Sequence, residues 1–339
     1  MRVAIANFSP PHPRRENFDA YWANFNKPSP PASHCHLFDY PVGWGFHIFS
    51  LGMYLHDQGI ADEVEFWDFA AERSCVFDAF GILRFQFYNF ADLKAYLVRH
   101  GAPDLFINHG WDGIGILRWL DGKCFRVHVP ALRPRFAGRA NFGAECYLVD
   151  DERFLDAHSM LYIPVVNTEK LAPQRGRELR DFVYIASVRA NKRHDILLNA
   201  VRNTPLTGHL HPVNAGELNL NETHITTSAL DERDVLDLLE TSRIAVYPGD
   251  KTSAPAAMWE CVAADLPIVV NKHIVGGNYV VVPGVTGELA APNDFRQTMQ
   301  SVLELRDSYH PRAYLLEHWA TIPTLDSYLN FFRKMGWSA

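Results

Sequence analysis

Residues 182–201 read FVYIASVRANKRHDILLNAV, from Phe182 to Val201. The first six, 182–187, are mostly apolar, β-branched or aromatic, as a buried strand requires. A short loop then presents Arg189, Lys192 and Arg193, and 195–201 reads as a helix. A strand that feeds a helix through a short loop is the repeating unit of a parallel sheet with crossover helices. Ligands of open α/β sheets bind just beyond the carboxyl ends of the strands, and a helix N-terminus favours anions. Three cations at this junction therefore form a ready diphosphate site. Taken alone, the segment reads better as a solvated basic loop.

The same rhythm extends in both directions. Downstream, strands are expected at 210–214, 225–226, 244–247 and 268–271, with helices at 231–241 and 256–264. The first of these helices has Asp231 as a cap and Val235, Leu238 and Leu239 on one face. Upstream, strands are expected at 3–8, 63–67, 105–108, 125–129 and 147–149, with a helix at 46–58 that stops at Gly59. A Pro-rich stretch, 9–41, separates the first strand from that helix. A loop so long inside a compact domain is either functional, here on the side of an acceptor, or a structural excursion. Residues 162–168 look like a final strand running into a linker. No repeat of 20–50 residues is visible.

A chain of 339 residues suits two α/β domains of about 150 residues each. We expect one over 1–166 and the other over 167–319, with a C-terminal helix, 320–339, packing back on the first. An apolar content of 47% supplies two cores, and the net charge of −7 argues against nucleic acid as a bulk partner. No stretch approaches the roughly 18 apolar residues of a membrane span. The first residues read as a strand, and Asn7, Ser9 and two prolines follow too soon for a signal-peptide core. Cys35, Cys75, Cys124, Cys146 and Cys261 are widely spaced, which fits reduced thiols and a cytoplasmic location. His34-Cys35-His36 is too tight for a zinc site. Arg133, Arg135 and Arg139 surround Phe136 in a basic run that suits a solvated loop, with an anionic acceptor or a lipid head group as the alternative.

A second segment tips the balance of the first. Pro248-Gly249-Asp250-Lys251-Thr252-Ser253-Ala254-Pro255 runs from a strand into the helix that carries Glu260. The loop at Lys251, Thr252, Ser253 and Ala254 offers backbone N–H groups at a helix N-terminus to sugar hydroxyls or phosphate oxygens. Glu260 is a carboxylate among Met258, Trp259, Val262 and Ala263, costly to bury unless something hydrogen-bonds it. Ribose hydroxyls would do so, as would an arginine in a purely structural pairing. Pro267-Ile268-Val269-Val270, Gly276-Gly277 and Gly284-Val285-Thr286-Gly287 follow.

From about residue 182 to 294 this pattern resembles the family 4 retaining glycosyltransferases of the GT-B fold. That fold is α/β, with two Rossmann-like domains facing a central cleft. The resemblance implies that Arg189 and Lys192 bind the donor diphosphate, that Glu260 holds the ribose, and that Ala229 and Leu230 hold the base through main-chain groups. The chain departs from the pattern at Thr252, where the family has the first glutamate of a pair, and at Ser253-Ala254. That departure opens the question of how the donor sugar is held. In the first half, Gly43-Trp44-Gly45 stands where the family has a Gly-rich turn, here for acceptor or phosphate, ahead of a helix bearing His47. It lacks the third glycine of a dinucleotide fingerprint. His109 and His128 end their strands as the family's cleft histidines do, and a histidine there can hydrogen-bond the sugar or move a proton.

The resulting expectation is a hexosyltransferase acting with retention and without a metal or other cofactor. Its donor would be a nucleotide-diphosphate sugar, UDP-glucose for choice, and its acceptor a saccharide or lipid-linked molecule, with peripheral membrane contact as an option. Two alternatives stay open: a nucleotide-sugar epimerase on the same fold, and a non-catalytic binder of sugar nucleotides.

Overall fold

A computed structural model describes all residues except 8–43, 69–74, 80–81, 87–89, 110–113, 130–142, 150–151, 167, 170, 172, 174–177, 187, 213–224, 228–231, 252–255 and 339. The chain opens with β1 (Arg2–Asn7) and α1 (Trp44–Asp57), then β2 (Glu63–Asp68). A hairpin of β3 (Cys75–Ala79) and β4 (Ile82–Gln86) and a helix α2 (Phe90–His100) come next. They are followed by β5 (Leu105–His109), α3 (Ile114–Trp119), β6 (Phe125–Val129), β7 (Cys146–Val149) and β8 (Ser159–Leu161). These strands form one eight-stranded sheet, ordered β3-β4-β2-β1-β5-β6-β7-β8, parallel except for the hairpin.

The second lobe holds β9 (Arg180–Ala186), α4 (His194–Val201), β10 (Gly208–Pro212), β11 (Ile225–Thr227), α5 (Glu232–Glu240) and β12 (Ser242–Tyr247). It continues with α6 (Ala256–Ala263), β13 (Ile268–Asn271), β14 (Gly287–Ala290), α7 (Phe295–Glu304) and α8 (Pro311–His318). Its six-stranded sheet has the order β11-β10-β9-β12-β13-β14. Successive strands thus step away from β9 on one side and then, from β12, on the other. In both sheets the order reverses next to the first strand, at β1/β5 and at β9/β12, and ligand crevices of open α/β sheets form at such switch points.

Alternate residues of the strands feed different layers. Val3, Ile5, Leu105, Ile107, Val127 and Val129 face one core, while Ala4, Ala6 and Phe106 face another with Trp67 and Leu93. The first of these cores is closed by the last helix, α9 (Thr321–Lys334), through Leu325, Tyr328, Leu329 and Phe332. The chain end therefore returns from the second lobe to cover the first. Beneath β2, the fully buried Glu65 carboxylate accepts from Trp67 Nε1 at 2.7 Å and Tyr96 Oη at 2.8 Å, with Arg2 Nε at 3.1 Å. Burial raises its pKa against the pull of these donors.

Some expected boundaries are corrected. The hairpin and α2 were not anticipated at all. The strand expected over 162–168 is instead β8, which ends at Leu161, and residues 162–166 leave the sheet. The reason is competition for hydrogen bonds. Pro164 has no N–H, and Tyr328 Oη takes both the N–H (2.7 Å) and the carbonyl (2.5 Å) of Ile163. Thr321 Oγ1 donates to Val166 O at 3.0 Å, and Arg312 donates to Thr168 O at 2.7 Å and Leu171 O at 2.9 Å. Side chains from α8 and α9 replace a neighbouring strand along this crossing between the lobes.

Candidate active site

In the second lobe two loops meet beyond β9 and β12. After β9 the backbone passes Arg189 in extended geometry and makes one 3-10 turn, Ala190–Lys192. Arg193 then adopts the left-handed conformation (φ 48°) before α4 starts. After β12 the chain turns at Pro248-Gly249. A methyl group at Gly249 would lie 3.1 Å from the Asn191 oxygen, so glycine lets the two loops touch. Asp250 N–H donates to Asn191 O at 3.0 Å, and Tyr184 Oη donates to Lys192 O at 2.6 Å.

This packing sorts the three cations. Arg193 is ion-paired with Asp195 at 2.9 Å and with Asp250 at 3.1 Å, which raises its pKa; its charge is already answered inside the protein. Lys192 is half-buried, and its Nζ has the Lys251 carbonyl at 3.5 Å. Its pKa is lowered, first by burial and then by the neighbouring charge of Arg189, which is exposed. Lys192 and Arg189 thus repel each other at the carboxyl end of β9. An anion bound between them would relieve that repulsion.

Lys251 forms a parallel bridge with Val275, and Val275 N–H donates to Asp250 O at 2.9 Å, so the loop is tied to the Gly-Gly segment. Glu260 lies in α6, 7% exposed, between Trp259 and Cys261. The Gly284-Val285-Thr286-Gly287 motif is structural here. A Cβ at Gly287 would fall 1.9 Å from Ile268 O, and the buried Thr286 Oγ1 accepts from Val282 N at 2.7 Å while donating to Val280 O at 2.8 Å. Of the other expected residues, Ala229, Leu230, Thr252, Ser253 and Ala254 lie outside those described, as does Gly43.

In the first lobe the structure corrects two expectations. Trp44 and Gly45 do not form a turn; they are the opening residues of α1. His128 does not face an open cleft. Its side chain has no exposed surface, and Nδ1 sits 2.9 Å from Asn108 Nδ2. Being four residues into β6, it points with Arg126 to the face opposite Val127 and Val129. Burial depresses its pKa to about 4, against the pull of the Asn108 backbone. His109 ends β5 and aligns with Asn7 of β1 and Val129 of β6. It is half-buried, with Nε2 2.8 Å from Tyr162 Oη. Burial, and then the charge of His128, hold it near pKa 3, so it is a neutral imidazole. Tyr162 was missed in the sequence, where it reads as one residue of an apolar strand.

Comparison with known proteins agrees with this geometry. Residues 168–315 match the family described as Glycosyl transferases group 1. The second lobe is thus similar to a group 1 glycosyltransferase domain. Among solved structures, sucrose-phosphate synthase from Thermosynechococcus elongatus superposes with a TM-score of 0.71 at 14% identity, covering 98% of each chain. The lipopolysaccharide outer core galactosyltransferase WaaB gives 0.65 at 14% identity, over 98% of this chain and 99% of that one. The pneumococcal O-GlcNAc transferase GtfA, solved with UDP and GlcNAc, gives 0.56 at 14% identity, over 72% of this chain and 59% of that one. No curated protein sequence matches the chain. The glycosyltransferase thus has the two-lobed GT-B fold along its length, and it is a glycosyl-transferring enzyme. Among the described residues no helix is long and apolar enough to cross a membrane.

Proposed function

We propose that the enzyme transfers a hexosyl group, with retention and without a metal, from a nucleotide-diphosphate sugar to a saccharide or lipid-linked acceptor. UDP-glucose is the preferred donor on this reading. The observation that carries it is the pair Arg189 and Lys192: two cations that disfavour one another, one of them half-buried, at the switch point of the donor lobe. Charge develops on the departing diphosphate in the transition state, and fixed cations already in place stabilise it without reorganisation. They take the part a metal would otherwise play. Glu260 would accept from the ribose hydroxyls, and main-chain groups near Ala229 and Leu230 would hold the base. Thr252, Ser253 and Ala254 would line the sugar. The acceptor would lie against the first lobe, where the half-buried His109 rather than the fully buried His128 would meet it. Closure of the lobes would exclude water and limit donor hydrolysis.

A thermal-shift panel of nucleotide sugars, followed by an assay for nucleoside diphosphate release, tests this. UDP sugars should raise the melting temperature, and Arg189→Ala should weaken UDP binding by about 1.5–3 kcal/mol. Calorimetric titration showing equal UDP affinity in wild type and variant would remove the diphosphate site from this loop.

A further inference from the structure

Tyr162 occupies a position that touches both lobes. Its ring is almost fully buried, at 5% exposure, and meets the His109 ring edge-on with centroids 5.4 Å apart. Its hydroxyl is 2.8 Å from His109 Nε2. On its other side it stacks on Tyr328 of α9, with centroids 6.2 Å apart. Its carbonyl accepts from Tyr279 Oη at 2.9 Å. Tyr279 belongs to the donor lobe: it sits in the 3-10 turn Asn278–Val280 after the Gly-Gly segment, and its ring lies 6.2 Å from Trp259, the neighbour of Glu260 in α6. The Gly-Gly segment is in turn bonded to the Asp250–Lys251 loop through Val275. A contiguous set of contacts thus leads from the loop that flanks Lys192, through Tyr279 and Tyr162, to the imidazole at the switch point of the other lobe.

We propose that Tyr162 is a positioning residue for glycosyl transfer: its phenol fixes the orientation and tautomer of His109, and the hold of Tyr279 on its carbonyl ties that setting to the donor lobe. The proposal rests on the reading of His109 as the acceptor-side group. An imidazole in contact with a reacting hydroxyl is useful only in one tautomer and one ring orientation, and the partner of its second nitrogen selects both. A tyrosine anchored at three points, by stacking, by its hydroxyl and by its carbonyl, supplies such a partner with little freedom to turn. The crossing segment that follows it is held by Tyr328, Thr321 and Arg312, so a shift of the donor lobe moves Tyr162 with the linker instead of being absorbed there.

The test uses the full chain labelled with 15N-histidine. The His109 signals are assigned by their loss in His109→Gln. In the wild type they should report one dominant neutral tautomer. Tyr162→Phe keeps the ring and the stack, and should shift those signals toward a tautomer mixture while the melting temperature stays close to wild type. Tyr279→Phe should move them in the same direction by less. Unmoved His109 signals in Tyr162→Phe overturn the proposal, whatever the activity. With UDP-glucose as donor probe, Tyr162→Phe should lower the rate of UDP release about tenfold or more, with UDP affinity unchanged. Normal turnover in Tyr162→Phe beside impaired turnover in His109→Gln defeats the positioning role alone. Normal turnover in both variants defeats the reading of His109 and this proposal with it. Tyr328→Phe, which loses its bonds to Ile163, is the control expected to lower stability and leave the His109 signals in place.

Discussion

At the switch point of the second sheet, beyond β9 and β12, the chain places Arg189, Lys192 and Lys251. At that of the first sheet, beyond β1 and β5, it places Asn108 and His109, with His128 one strand over. In both sheets the strand order reverses beside the first strand, but the electrostatics differ. The second-lobe side keeps Lys192 and Arg189 as neighbouring like charges, while the other side holds imidazoles that burial keeps neutral. A lobe that must grip a leaving dianion needs the first arrangement. A lobe that must hold a hydroxyl, and pass or accept a proton, is better served by the second.

The largest expected effect tests the neutral side. In the folded protein the pKa of His128 is depressed to about 4 and that of His109 to about 3, against 6.5 for the free side chain. Between those limits the unfolded chain binds more protons than the folded one. The stability these groups contribute is complete above about pH 6.5 and is lost as pH falls toward 4, by on the order of 3 kcal/mol for His128 alone. Urea unfolding at pH 7 and pH 4.5 measures it. His128→Asn, which keeps an amide beside Asn108, should be less stable at pH 7 and should fall off less steeply with acid. A variant with the wild-type acid slope would show that His128 is not the buried neutral group described above.

The charged side should respond at the other end of the pH scale. Because the pKa of Lys192 is lowered by burial and by Arg189, a bound diphosphate should raise it again, and binding should take up a proton at alkaline pH. UDP affinity should therefore decline as pH rises toward that lowered value. Calorimetry in buffers of different ionisation enthalpy reads the proton uptake directly. Lys192→Arg should abolish the uptake, and Lys192→Ala should weaken UDP binding by about 1.5–3 kcal/mol. Proton uptake that persists in Lys192→Arg would assign it to another group.

The two sites differed as much in their legibility. The second lobe could be read because its candidate residues are adjacent in sequence to the elements that place them: Arg189 and Lys192 sit between a strand and its own helix, and Glu260 lies in the helix that follows β12, the sheet neighbour of β9. The sequence did not show that Arg193 would be spent on Asp195 and Asp250, since Asp250 is 57 residues away. In the first lobe the strand-end histidines were visible, but which of them is buried depends on strand parity and on Asn108, 20 residues before His128. Tyr162 was invisible as a site because its partners, His109 and Tyr279, lie 53 and 117 residues off. The missed hairpin did leave a signal, Gly81 between two short apolar runs, and α2 left Leu93, Tyr96 and Leu97 ahead of Gly101. Both are local patterns that the stronger rhythm of the parallel strands overshadowed.

The smallest expected effect concerns Glu260, a buried acidic residue on the otherwise cationic side. A carboxylate 7% exposed beside Trp259 and Cys261 carries a desolvation cost, and the two hydroxyls of a ribose are suited to offset part of it. A ribonucleotide should then bind more tightly than its 2′-deoxy counterpart by about 1.5 kcal/mol, roughly tenfold, the lower end of the net value of a hydrogen bond to a charged acceptor. Glu260→Gln keeps the size and one acceptor oxygen but loses the charge, and should erase most of that difference. Overall UDP affinity should change less than in Lys192→Ala, because the diphosphate contacts are untouched. The four affinities, UDP and dUDP against wild type and Glu260→Gln, form a double-difference cycle in which any uniform loss of affinity cancels. A coupling near zero would mean that Glu260 answers a partner within its own lobe. The ribose would then be held elsewhere on the donor side, leaving the contrast between the two switch points to rest on Arg189 and Lys192 alone.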